Sequence, residues 1–408
     1  MLKTVKELFF GHCNFRSLIS NVFIVWRFFG INIDCSNETK IPVIYILVDA
    51  CLAIFHVYVY VVSAYWFVFM RKTDDITCAL IIFSLGVSSL IGVTKWICMF
   101  FYQDMVREIV DGYLECDGHV EPNSLFETNL SKTLLIIKRR AILYWTVVMG
   151  NGISYVLIAL LKPGKHFMED CFSFYGVEEV MFQSPYYEML FLINAAAVYF
   201  VVYLPANITV LFITTVGYTE AQLLAMSEEL SVMWDNANKS YEVTKDLNND
   251  SVDKEIIYLN NYIKVRLGSL VKMHIMNITL ISKVEMIISI ATLLQFVYLI
   301  ITIISALLGE LSRTYIQLPF CLIMVAMDCF IGQKLRDAGT IFENAVYACK
   351  WENFDVANRR MVLFMLKISQ KGISLMPGGL KRLDNEYLMK VFNIIYSAYT
   401  ALKSFAME

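Results

Sequence analysis

Six stretches of this chain are each long and apolar enough to cross a lipid bilayer: 41–70, 76–102, 141–161, 189–216, 284–308 and 315–331. About 20 mostly apolar residues, rising ~1.5 Å each as a helix, cover the ~30 Å of hydrocarbon. A seventh stretch, 387–406, is less apolar and carries Lys390 and Lys403 near its ends, where long side chains reach the interface. The sequence therefore predicts an all-α membrane protein with seven transmembrane helices, folded as one unit over residues 1–408.

Orientation follows from the cations. Of 34 Lys and Arg, 25 fall in the N-terminal segment, 103–140, 217–282 and 334–386, all on one side of the membrane, and six fall on the other. The basic side is cytoplasmic. This puts the N-terminus inside and, after seven crossings, the C-terminus outside. The first 29 residues have scattered Lys and Arg and no small-residue cleavage site, so the first span serves as its own signal anchor. Seven-helix G-protein-coupled receptors run the opposite way. Their usual Asp-Arg-Tyr triplet and Asn-Pro-x-x-Tyr string are both missing.

The outer segments are short except 162–188, where Phe167, Phe172, Phe174, Tyr175, Phe182, Tyr186 and Tyr187 form too aromatic a set for a hydrated loop. They predict a lid over the outer helix ends. Of the ten cysteines only Cys171 lies clearly in an outer loop, so an extracellular disulfide would need Cys78, at the outer end of the second span. The others read as buried thiols. The sequons at Asn37 and Asn129 fall inside, out of reach of glycosylation.

On the cytoplasmic side, Leu223, Met226, Leu230 and Met233 continue the fourth span as an amphipathic stripe; a polar turn at 236–251 breaks it, and Leu259, Ile263, Leu267 and Leu270 resume it into the fifth span. Stripes too short to cross a membrane need a protein partner, which predicts cytoplasmic helix packing over 217–283 and 332–386.

Enzyme chemistry is not legible. No P-loop, dinucleotide-binding glycine run, H-E-x-x-H helix or nucleophile elbow occurs, and the five histidines are scattered. His56, in mid-span, reads as an interhelical hydrogen-bond donor. A net charge of −3 offers nucleic acid no bulk attraction, and no cofactor is expected. Asp49, Lys95 and Asp328 are the few ionisable residues within spans, all toward the cytoplasmic half. An ion-coupled transporter keeps more such groups at the midplane.

The C-terminal fifth is the most diagnostic. It reads Cys329-x-x-Gly332-Gln333, Ala345-Val346-Tyr347-x-x-x-Trp351, Arg359-Arg360, Leu366-x-x-Ser369-Gln370-Lys371, Gly378-Gly379 and Tyr396-Ser397-x-Tyr399-x-x-Leu402. In order and spacing this run resembles the C-terminal signature of insect odorant receptors, and the length and N-inside layout resemble that family throughout. Gln333 stands where the family often has Glu, and Ile395 where Thr is common. The Thr-Tyr…Gln-Phe ending of gustatory receptors is missing, which makes a gustatory receptor channel the second reading; a G-protein-coupled receptor or a transporter comes after it. The shared co-receptor (Orco) carries an insertion in its fourth-to-fifth connection, whereas this one is compact and resembles a ligand-selective tuning subunit.

The resemblance implies an odorant-gated, non-selective cation channel, a heterotetramer with Orco in the plasma membrane of an olfactory sensory neuron dendrite. Its partners would be a small volatile and membrane lipid. The last helix would line the pore, with Asn393, Tyr396, Tyr399, Thr400 and Lys403 on one face and Leu402 and Lys403 at the outer constriction. Four lysines in a ring would repel cations, so a homotetramer should conduct poorly. The odorant pocket would lie in the outer half of the bundle, with Phe83, Gly152, Tyr155, Phe191, Asn194, Tyr199, Tyr298 and Thr302 as candidates. Asn194 and Asn151 are the best polar ones, because an unpaired amide in hydrocarbon is costly. Pro205 would kink the fourth helix beneath the pocket.

Overall fold

The computed structural model describes residues 13–28, 30–34, 41–71, 75–245, 252–309 and 314–407. All regular structure among the described residues is helical. In chain order it comprises α1 (Phe15–Phe28), α2 (Val43–His56, continuing through π-helical turns Val57–Ser63 and Trp66–Met70), α3 (Ile76–Phe101), α4 (Gln103–Gly118) and α5 (Leu125–Leu161). Then come α6 (Tyr186–Lys245), α7 (Val252–Leu308), α8 (Gln317–Tyr347), α9 (Val356–Ser369) and α10 (Asn385–Met407).

Among the described residues six helical stretches have the length and composition to cross a membrane; α10 is not one of the six. On α2, Val43, Ile44, Leu47, Ile54 and Phe69 are all more than half exposed. Water would solvate such a surface poorly, whereas hydrocarbon solvates it without cost. The helices start where polar side chains satisfy their first N–H groups. Asp75 accepts from the Cys78 amide, Ser124 from Glu127 and Asp355 from Asn358.

The long helices continue well beyond the apolar blocks. The turn expected to begin at residue 236 lies further along, because α6 runs on to Lys245. Ala237 and Tyr241 extend the buried stripe from Met233 at i+4 steps, and Tyr241 packs on Tyr258 of α7 with ring centroids 5.7 Å apart. The polar residues between them hide this from a reading by composition. α6 continues through Pro205 and is the hub of the bundle, packing along α5 and α8 and against α1, α2, α3 and α7. Asn129 lies on α5; Asn37 is outside the described residues.

Below its apolar stretch α6 is enclosed on all sides, so its polar groups pair internally. Tyr113 and Thr219 hydroxyls are 2.8 Å apart, the Tyr218 hydroxyl donates to Asp117 at 3.2 Å, and Gln222 donates to Tyr218 at 2.9 Å. Phe15 of α1 closes the cluster, its ring 4.6 Å from that of Tyr218 and its amide donating to Asp117 at 3.4 Å. Burial pushes the Asp117 carboxyl above its ordinary value, although the Phe15 amide and Tyr218 hydroxyl favour the anion.

Candidate functional site

At one end of the bundle the segment 162–185 folds over the helix ends. Phe167, Phe172 and Phe174 are buried, with Phe174 5.0 Å centroid to centroid from each of the other two. Tyr175, Phe182 and Tyr186 stay about half exposed. A disulfide joins Cys78 at the start of α3 to Cys171 in this segment. Arg71 donates to Ser173 at 2.6 Å, Tyr58 donates to the Tyr175 carbonyl at 3.0 Å, and Tyr187 donates to the His166 carbonyl at 2.9 Å. Asp170 binds Lys162 at 2.7 Å and His166 at 2.9 Å. Burial alone would raise the Asp170 carboxyl, but these two partners outweigh it and hold it below the usual range.

Beneath this lid lies a small cavity of about 50 Å³, lined by Tyr60, Leu85, Ser88, Asn151, Gly152, Tyr155, Val198, Val201, Val202, Ile316, Gln317 and Phe320. Five helices, α2, α3, α5, α6 and α8, meet there because small and polar residues let them: a methyl group at Gly152 would stand 3.0 Å from the Val202 side chain. The lining is mostly apolar, with a few convergent polar groups. Asn151 donates to the Ile316 carbonyl at 3.0 Å, Ser84 donates to Gln317 at 3.1 Å, and Gln317 donates to Ser88 at 3.4 Å. The Tyr155 hydroxyl reaches up to the lid and donates to Glu169 at 2.9 Å. An apolar recess with a few oriented polar groups suits a small, largely apolar molecule.

Of the candidates read from the sequence, Gly152, Tyr155 and Asn151 line this cavity. Thr302 stands behind it, donating to the Ser84 carbonyl at 3.4 Å. Phe83 packs edge-on to Phe69, and Phe191 lies beside Tyr187 at 6.0 Å. Asn194 is buried on α6 and Tyr298 half-buried on α7. Tyr199 is stacked on Tyr203 at 4.8 Å and lines an adjoining groove between α5 and α6, which shares Gly152, Val198 and Val202 with the cavity. Ser88 and Gln317 escaped the sequence reading. Their signal was a polar side chain inside an apolar run, which needs a partner.

Deeper in the bundle, Lys95 of α3 meets Asp328 of α8 at 3.3 Å, with side chains only 7% and 2% exposed, and also donates to Thr209 of α6 at 3.3 Å. Two of the three intramembrane ionisable residues thus answer each other. The Nδ1 atom of His56 has no hydrogen-bond partner, contrary to the donor role expected for it; the ring packs 5.9 Å from Tyr60 and 5.5 Å from Phe200. Aromatic neighbours replace polar ones.

The C-terminal motifs converge on the base of α10. A methyl group at Gly332 would stand 2.0 Å from the Leu383 carbonyl oxygen, so only glycine lets α8 lie against that backbone. Gln333 accepts from the Asn385 amide at 3.3 Å. Asp384 accepts from the Tyr387 amide at 2.9 Å and pairs with Arg336 at 2.9 Å. The turn at 377–379 is held to α7, where Ser289 accepts from the Gly378 amide at 2.8 Å and Glu285 from the Met376 amide at 2.9 Å. Further along α10, Val391 and Ile395 are buried, whereas Asn393, Tyr396, Ser397, Thr400, Leu402 and Lys403 are exposed. Tyr399 is half-buried, and the Lys403 ammonium lies 5.5 Å from its ring centroid.

Residues 75–396 match the family model described as 7tm Odorant receptor. Odorant receptor 30a of Drosophila melanogaster is 24% identical over 233 residues, which span 56% of this chain and 56% of that protein. The fold is similar to the insect olfactory receptor OR5 from Machilis hrabei in complex with eugenol, with a TM-score of 0.74, 13% identity, and 96% and 98% of the two chains covered. A second structure of the insect olfactory receptor OR5 from Machilis hrabei gives a TM-score of 0.73 and 12% identity, with 95% and 97% of the two chains covered. This multi-pass membrane chain belongs to the insect odorant receptor family, whose members are receptors and not enzymes.

Proposed function

We propose that the chain is a ligand-selective odorant receptor subunit that works with the co-receptor Orco as a heterotetrameric, non-selective cation channel in the dendritic plasma membrane. The amino end faces the cytoplasm and the carboxyl end the outside. The observation that carries the reading is the cavity under the lid, bordered by α2, α3, α5, α6 and α8 and lined by both apolar and hydrogen-bonding groups. A volatile entering it gains mainly by leaving water, about 25 cal/mol per Å² of apolar surface. Asn151, Ser88, Gln317 and Tyr155 set its orientation. The exposed face of α10, with Tyr396, Thr400, Leu402 and Lys403, lines the shared pore, and Tyr399 stands at its edge beneath Lys403. Lys403 at the constriction disfavours a homotetramer, and Orco subunits dilute that charge.

The test is voltage clamp of oocytes expressing this chain with Orco and challenged with a volatile panel. The expected result is a ligand-gated cation current that needs both proteins and that Gly152→Leu abolishes while surface expression stays unchanged. Current of equal size from this chain alone would contradict the subunit reading, and an unaltered ligand response in Gly152→Leu would contradict the cavity.

A further inference from the structure

A second hollow, an open groove of about 190 Å³, lies toward the opposite end of the bundle, between α1, α5 and α6. Val22, Ala141 and Val210 stand in its walls, one from each helix. Its amide and indole groups are already engaged: Trp145 donates to Asn207 at 3.1 Å, and Asn207 donates to the Tyr203 carbonyl at 2.7 Å. What remains is a hydrocarbon-lined groove with one charge, Lys138, at its rim. Lys138 is half-buried and forms no ion pair among the described residues.

Its placement narrows the occupant. Lys138 sits one helical turn before the apolar stretch 141–161, at the level where lipid headgroups meet hydrocarbon. Trp145 is two turns deeper and 38% exposed. Leu143 and Val147, on the opposite face of α5, are 66% and 42% exposed, so the helix borders lipid tails at this depth, and the exposed edge of Trp145 opens the groove to them. A groove that opens to hydrocarbon fills with hydrocarbon, and a lone ammonium at headgroup depth selects a negative headgroup.

We infer that the groove between α1, α5 and α6 is a binding site for an anionic phospholipid, with an acyl chain against Val22, Ala141 and Val210 and the phosphate-bearing headgroup on Lys138. The lipid would form the seam between α1 and the bundle. A zwitterionic lipid fills the same apolar space but brings no net charge to Lys138, so the two lipids share the tail contribution and differ at the headgroup. This site draws on neither channel activity nor orientation.

The test uses the full-length chain in symmetric nanodiscs of phosphatidylcholine with a minor share of phosphatidylserine, exchanged into detergent, with retained lipid counted by mass spectrometry. Phosphatidylserine should be enriched about fivefold over its share of the nanodisc, the worth of one cation near the surface. Lys138→Gln should remove the enrichment and Lys138→Arg should keep it. Val25→Trp, from the partly exposed wall of α1, should lower the retention of both lipids. No enrichment in the natural chain, full enrichment in Lys138→Gln, or unchanged total retention in Val25→Trp would each overturn the site.

Discussion

The two halves of α10 are built on opposite plans. Its base is tied to its own chain: Gly332 admits the Leu383 backbone, Gln333 and Asp384 take up the first amides, and Arg336 neutralises Asp384. Beyond that base it keeps a narrow buried edge at Val391 and Ile395 and presents Asn393, Tyr396, Ser397 and Thr400 outward. The difference separates what holds the helix from what the helix serves. A fixed base with a free polar face is how a helix is delivered to a partner that lies outside its own chain.

The contrast can be broken most severely at Gly332. Gly332→Val sets side-chain atoms against a backbone carbonyl that has nowhere to retreat, a cost of about 3 kcal/mol or more. Surface biotinylation should find little receptor left; near-normal surface levels would mean that the base is not rigid. Lys95→Met should follow closely, since it strands the Asp328 carboxylate where neither water nor a cation reaches it. Losing one partner of such a pair costs about 3–5 kcal/mol, whereas Lys95→Met with Asp328→Leu removes the charge as well and should recover most of the loss. Thermal melting followed by fluorescence-detected size exclusion separates the two, and a double variant as unstable as the single one would refute the pairing.

Asp384→Ala removes the cap of α10 and should lower stability by about 1 kcal/mol, measured by the same melting assay; a loss no larger than that of Thr400→Val on the free face would erase the contrast between the halves. The smallest effect belongs to the lid. Asp170 is held below its ordinary carboxylate value by Lys162 and His166, so its contribution is present above the unfolded pKa of about 4 and is lost as pH falls through the lowered value. Because the pair is half exposed, the worth is a few tenths of a kcal/mol. Protection against hydrogen exchange in segment 162–185, taken relative to the intrinsic amide rate at each pH, should be flat from neutral to mildly acidic pH and should fall only below about pH 4. A change near neutrality would point to a group other than Asp170.

Much of this was legible in the chain, for reasons of physics. Apolar runs announce spans because hydrocarbon tolerates little else, and the aromatic density of 162–188 announced a covering segment because such rings seek burial. Lys95 and Asp328 could be placed at one depth, though not as each other's partner, because depth is one-dimensional and helix facing is not. The same gap explains why Ser88 and Gln317 went unread while Phe83 and Tyr199 were named: a single sequence does not say which side of a buried helix meets the cavity. The motif Cys329-x-x-Gly332-Gln333 signalled a family before its reason was visible, which is the seat of the last helix.

The most direct test of the pore assignment is cysteine accessibility on the free face of α10. Thr400→Cys, co-expressed with Orco, should give ligand-gated current that a charged methanethiosulfonate applied from outside reduces irreversibly, faster when the ligand is present, while the natural chain is unaffected. A labelled cysteine at 400 that leaves the current unchanged would contradict the claim that this helix lines the conduction path.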